Sequence, residues 1–141
     1  MRVYRDAFLA AREIYRLSQE WPTEERYALT DQIRRSSRSV AANIAEAWRK
    51  RRYPNHFVSK LSDSDAEAAE TQSWLDFALD HGYLTREQYD EIDDRYDKIQ
   101  GSLVSMMNQK DRWCGPSRIE EEATDYAPSS PVPWNSNTSP D

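Results

Sequence analysis

Glycine is scarce in this chain, three in 141 residues, and histidine and cysteine are scarcer still, at two and one. So few glycines argue against a turn-rich all-β fold, whose hairpins and bulges need positive φ. The single Cys114 can form no internal disulfide, so a reducing, cytoplasmic setting is expected. Neither His56 nor His81 follows a Glu by three residues, which excludes the Glu-x-x-His pairs of a diiron bundle. No apolar run approaches the roughly 18 residues of a membrane span. The opening MRVYRDAFLAAREIYRL is amphipathic and charged, without the continuous apolar stretch of a secretion signal. There is no Gly-rich phosphate loop, no CxxC pair and no assembled Ser-His-Asp set. Hydrophobic residues make up 38% of the chain, lean for a self-sufficient core. The length suits one domain, which would bury roughly 68–70% of its unfolded surface.

Charge is abundant but unevenly placed. Residues 1–60 carry thirteen Lys/Arg against seven Asp/Glu, and residues 61–141 carry six against eighteen, for a net charge of −6. A basic surface that attracts polyanions can therefore sit beside an acidic one. The same asymmetry fits head-to-tail pairing of subunits, or simply a solvated, highly charged helical surface.

Four segments show helical periodicity and none a sustained alternation of period two. The first, from about Val3 to Glu20, aligns Tyr4, Phe8, Ala11 and Tyr15, and ends at Trp21-Pro22 because a residue before proline is pushed out of the α region. Thr23 is a candidate N-cap for the second, with Glu24 and Glu25 in its first turn. It runs to about Trp48, with Ile33, Ser37, Val40, Ile44 and Ala47 or Trp48 in line, and must yield near Tyr53-Pro54. Asn55 can cap the third, with Phe57, Leu61, Ser64, Ala68, Leu75, Ala78 and Leu79 in line and Gly82 placed to close it. Thr85 and Gln88 form a capping-box pattern ahead of the fourth. There Tyr89, Ile92, Tyr96, Ile99, Leu103 and Met106 repeat at bundle spacing until Cys114-Gly115-Pro116. The expected fold is all-α, an up-down antiparallel four-helix bundle over residues 1–114. Residues 115–141, rich in Pro, Ser and Asn, are expected to be a disordered tail. Trp134 within it is at most a short binding anchor.

The segment from Asp31 to Arg52, DQIRRSSRSVAANIAEAWRKRR, concentrates the basic residues. With Arg34 at 0° on a helical wheel, Arg38 falls at about 40°, Arg49 at about 60° and Arg35 at about 100°, with Arg52 back near 0° if the helix continues. The apolar stripe lies at roughly 220–300°, so the arginines share another face. A row of guanidiniums along about 27 Å suits a phosphate backbone. The four adjacent cations Arg49, Lys50, Arg51 and Arg52 repel one another and require counter-charge, while Trp48 or Tyr53 could stack on a base. Pairing of these arginines with acids on a neighbouring helix or subunit fits the pattern equally. The small residues Ser36, Ser37, Ser39, Ala41, Ala42 and Ala45 permit close helix approach and self-association, with Asn43 and Glu46 as polar groups near a seam.

Gln32 to Ser36 and Ser39 to Glu46, followed by Ala66 to Gln72, Trp74 to Ala78 and Gly82 to Leu84, resemble the signature of 23S rRNA intervening-sequence proteins. The likeness runs from near Tyr4 to near Lys110, and Asn43, Glu46, Glu70 and Gln72 fall within it. It implies a small up-down bundle that assembles as a homo-oligomeric ring, a pentamer, with a link to rRNA genes. Proteins of related fold serve as nucleic-acid-binding accessories in retroelements. Ala47 departs from the glycine many members carry there, so the helix should run on into the basic segment.

Paired carboxylates can perform acid–base work or hold Mg²⁺, and Asp63, Glu67 and Glu70, or Asp90, Asp93, Asp94 and Asp97, could each share a helix face. On an acidic half such groups are more simply surface charge, and Cys114 is an incidental thiol. The expected function is therefore non-enzymatic, without metal or cofactor. An oligomeric protein would bind RNA or DNA through Arg34, Arg35, Arg38, Arg49, Lys50, Arg51 and Arg52. The alternative is an interaction scaffold in which the same face pairs with the acidic half of neighbouring subunits.

Overall fold

The computed structural model describes residues 1–115, which form five α-helices and no strand. Helix α1 spans Arg2–Ser18, α2 Asp31–Arg49, α3 Pro54–Asp80, α4 Arg86–Asn108 and α5 Lys110–Cys114. α1 packs on α2 and α4, α2 on α3, and α3 on α4, so the four long helices surround one core, while α5 lies against α3 and α4. The all-α class holds. The fourth helix does not run unbroken to Cys114 as expected, because Gln109 leaves helical geometry at φ −109°, ψ 32° and a fifth helix begins beyond it. The tail with Trp134, expected to be disordered, lies outside the described residues. Among the described residues no helix is long and apolar enough to cross a membrane.

The core stripe of α1 is offset by one residue from the expected one. Val3, Ala7, Ala10, Ile14 and Ser18 are buried, whereas Tyr4, Phe8 and Tyr15 remain 38%, 48% and 43% exposed, and Ala11 is half-buried. Both sets have helical spacing. The small set wins because alanines let α1 approach its neighbours closely, which aromatic rings at those positions would prevent.

Thr23 makes no side-chain cap. The chain instead passes through a 3₁₀ turn, Thr23–Glu25, and a π-helical turn, Arg26–Thr30, before α2 begins at Asp31. These turns seal one end of the core with Trp21 and Leu29, and the Tyr83 hydroxyl donates to Glu25 at 2.9 Å. On α2 the expected stripe of Ile33, Ser37, Val40, Ile44 and Ala47 is buried, and Ser36 and Ala41 are buried with it. Two polar contacts lock α2 to α3: the Ser64 hydroxyl donates to the Val40 carbonyl at 2.8 Å, and the Thr71 and Ser36 hydroxyls lie 2.8 Å apart.

α3 starts at Pro54 rather than after Asn55, since proline fits a first helical position whose N–H has no partner to lose. It ends as expected. Gly82 takes φ 81°, its N–H reaches the Leu79 carbonyl at 3.1 Å, and the Tyr83 N–H reaches Ala78 at 2.8 Å. This is the doubly bonded glycine cap that satisfies the last carbonyls of a helix. Thr85 and Gln88 form the reciprocal capping box at the start of α4.

Candidate nucleic-acid interface

The exposed side of α1 and the basic side of α2 meet in a groove of about 610 Å³, lined by Tyr15, Asp31, Arg34, Arg35 and Arg38. Arg34 is fixed at two points. Its Nε donates to the Ser18 hydroxyl at 2.9 Å, and its guanidinium lies 4.7 Å from the centroid of the Tyr15 ring. Arg38 lies 5.7 Å from the same ring. Each cation–π contact at such an exposed site is worth about 0.5–1 kcal/mol. That is enough to orient a long side chain, and too little to satisfy its charge. Among the described residues neither Arg34 nor Arg38 meets a carboxylate in an ion pair.

Arg35 leaves this pair. One residue onward on the wheel, it turns toward α3 and is held by Glu67, at 3.4 Å, and by Glu70. Partial burial alone would lower its pKa, but the two carboxylates together hold it above the ordinary arginine value. The basic face of α2 is thus divided between a side open to solvent and a side neutralised within the chain.

The row reaches Arg52 only if the helix continues, and α2 instead stops close to Trp48, where its end is expected. α2 ends at Arg49, Lys50 occupies its C-cap, and residues 50–53 make a turn. Pro54 pushes Tyr53 out of the α region, to φ −119°, ψ 92°, and four adjacent cations on a continuing helix would repel one another. Arg49 and Lys50 are exposed and Arg52 half-buried. Arg51 is only 6% exposed, with its guanidinium 3.6 Å from the centroid of the Trp48 ring, and burial lowers its pKa. Trp48 in turn meets Trp113 of α5 edge-on at 6.2 Å. Trp48 and Arg51 are therefore occupied in packing rather than presented for stacking. Tyr53 is half-buried, its ring 5.5 Å from that of His56.

The signature residues serve helix contacts. Asn43 donates to the Ser39 carbonyl at 3.0 Å, and Glu46 pairs with Lys60 of α3 at 3.1 Å. Glu70 holds Arg35 and accepts from the Trp74 indole at 3.3 Å. Gln72 donates from α3 to Asp93 and Asp97 of α4, at 3.2 and 2.8 Å. Burial and then the neighbouring Asp97 raise the pKa of Asp93. Asp90 and Asp94 pair with Arg86 and Lys98 along α4, and Asp63 lies 4.0 Å from Lys60. Among the described residues no trio of His, Cys, Asp or Glu is arranged to hold a metal ion.

Two residues that orient the groove arginines escape a reading of pattern alone, Tyr15 in its lining and the buried Ser18 behind it. Tyr15 has core spacing, and Ser18 is an ordinary small polar residue at the end of a helix. Their signal is an offset: Val3, Ala7, Ala10, Ile14 and Ser18 form a second stripe of equal regularity, which frees the aromatic one for the surface.

Comparison with known proteins agrees with this architecture. A family described as 23S rRNA-intervening sequence protein matches residues 1–105. A crystal structure of a protein of unknown function from the S23 ribosomal protein family of Bacteroides thetaiotaomicron VPI-5482 superposes with a TM-score of 0.66 at 30% identity. That match covers 74% of this chain and 97% of the other. No curated protein matches. With its two signature blocks, its helical core and a match over most of its length, the chain belongs to the 23S rRNA-intervening sequence protein family.

Proposed function

We propose that this protein is a non-enzymatic nucleic-acid-binding bundle that contacts phosphates through the α1–α2 groove. The observation that carries this reading is the pair Arg34 and Arg38, oriented by Tyr15 and Ser18 yet, among the described residues, in no ion pair with a carboxylate, although Asp31 shares the groove. Arginine aimed by packing but not neutralised by it suits bidentate binding of a phosphate. The exposed Arg49 and Lys50 extend the surface at the far end of α2. The same reading includes an up-down arrangement of the four long helices, which the short link at residues 81–85 favours. It also includes self-association into a homo-oligomer, a pentameric ring as the family resemblance implies, supported by the exposed small residues Ala42 and Ala45 on α2.

Fluorescence anisotropy of labelled RNA and DNA at two salt concentrations tests it. Binding should weaken with a log–log slope of about 0.7–0.9 per phosphate contacted. Arg34→Glu with Arg38→Glu should weaken binding by about tenfold or more and flatten that slope by one to two contacts. Absence of binding at low salt would overturn the reading.

Arg35 argues against the scaffold alternative at its own position, since Glu67 and Glu70 neutralise it inside one chain rather than between subunits. If the scaffold reading holds, Arg34→Glu and Arg38→Glu will lower the oligomeric mass instead of the affinity.

A further inference from the structure

The exposed aromatics of α1 form a line. With Tyr4 at 0°, Tyr15 falls at about 20° and Phe8 at about 40°, over a helix length of about 16 Å. The Tyr4 and Phe8 rings are 6.4 Å apart and tilted by 38°, so they present an apolar strip rather than a slot. Arginines border this strip on both sides. Arg5 and Arg12 lie at about 100° and 80° on the same helix, and Arg34 and Arg38 stand over Tyr15 from α2. The acids of α1, Asp6 and Glu13, fall at about 200° and 180°, turned away from the strip. Among the described residues neither Arg5 nor Arg12 meets a carboxylate in an ion pair.

We infer that this strip is a stacking platform for single-stranded nucleic acid, with unpaired bases on Tyr4, Phe8 and Tyr15 and the phosphates on the arginines either side. The inference rests on the nucleic-acid reading above and narrows it from any polyanion to one with exposed bases. Charge complementarity selects this occupant. The ligand must offer flat apolar faces and a line of negative charge together, as a single strand does and a duplex, with its bases stacked inward, does not. A second copy of the chain matches less well. On α4, Asp90, Glu91 and Asp94 are already paired with Arg86, Arg95 and Lys98 at 3.2, 3.4 and 2.9 Å, and Asp93 and Asp97 accept from Gln72, which leaves Glu87. Glu67 and Glu70 of α3 hold Arg35. At about 3.4 Å per stacked nucleotide the strip accommodates roughly five.

The test measures anisotropy of the full chain with a labelled 20-nucleotide oligouridine and with a 20-base-pair RNA duplex. Tyr4→Ala with Phe8→Ala removes two rings that support no core. Oligouridine affinity should fall about tenfold or more per ring lost while duplex affinity stays within about twofold. Tyr4→Phe with Phe8→Tyr, which keeps both rings, should retain the wild-type affinity. Equal losses for both ligands, or no loss for either, would overturn the inference. So would a fall in molar mass by light scattering with oligouridine affinity unchanged, which would assign the strip to a subunit interface. The broader reading is judged separately by Arg34→Glu with Arg38→Glu. If those changes weaken both ligands and the ring deletions weaken neither, the groove binds phosphate and the platform is wrong. If the wild-type chain binds neither ligand at low salt, both fail.

Discussion

Individual side chains in this protein divide sharply between those that satisfy their chemistry and those that do not. The Tyr96 ring is wholly buried, and its hydroxyl has no hydrogen-bond partner among the described residues. An unsatisfied buried hydroxyl costs about 1–3 kcal/mol. Tyr96→Phe should therefore raise stability by about 1 kcal/mol in urea denaturation, against the usual direction of core substitutions. Asp93 is a second case. Burial and Asp97 raise its pKa, so the folded protein binds that proton more tightly than the unfolded chain does. The corresponding stability is present at low pH and is lost as pH rises through the raised value. Asp93→Asn, whose amide oxygen can still accept from Gln72, should raise the melting temperature by a few degrees at pH 7. The gap should close as pH falls toward 4.

The helices themselves were legible where one mechanism dictated the outcome and obscure where two competed. Gly82 could be identified as a cap because only a residue free of a Cβ adopts φ 81° at ease, and nothing lies within 4 Å of where a Cβ would sit. Gly82→Ala should thus lose about 1–2 kcal/mol from backbone strain alone, measurable as a lower urea midpoint with an unchanged slope. The box at Thr85 and Gln88 was equally direct. By contrast, α1 offered two stripes of equal period, and pattern could not say which would be buried. Close approach to neighbouring helices decided for the alanines. The end of α2 near Trp48 is legible, since Pro54 restricts the residue before it, but pattern does not show that Arg51 is buried on Trp48 within the turn. Arg35 shows the same gap, since a helical wheel gives an angle and cannot reveal that Glu67 and Glu70 wait on the next helix.

For the molecule as a whole, the charge asymmetry read from the sequence is partly absorbed inside the fold. Lys60 bridges toward Glu46 and Asp63, Arg35 binds two glutamates, and α4 pairs its own charges along its length. Among the described residues, Arg5 and Arg12 of α1 and Arg34 and Arg38 of α2 are left outside these ion pairs. A homo-oligomer should appear in light scattering as a multiple of the 16.5 kDa chain mass, fivefold for a pentamer. If that assembly is held by apolar packing, its mass should persist in 0.5 M salt, roughly five times the level of the Debye regime near 0.1 M. An assembly built on the basic face pairing with acids would dissociate under the same conditions.

The hydroxyl contact between Ser36 and Thr71 joins two buried helix faces, 2.8 Å apart and 35 residues distant in the chain. Each hydroxyl also has a carbonyl of its own helix within reach, Ile33 for Ser36 at 3.3 Å and Glu67 for Thr71 at 2.9 Å. Losing one hydroxyl therefore leaves the other a local acceptor, and the unsatisfied-group penalty is avoided. Change at either site is not conditional on change at the other. Related chains should carry a lone hydroxyl at one of the two positions as readily as a pair.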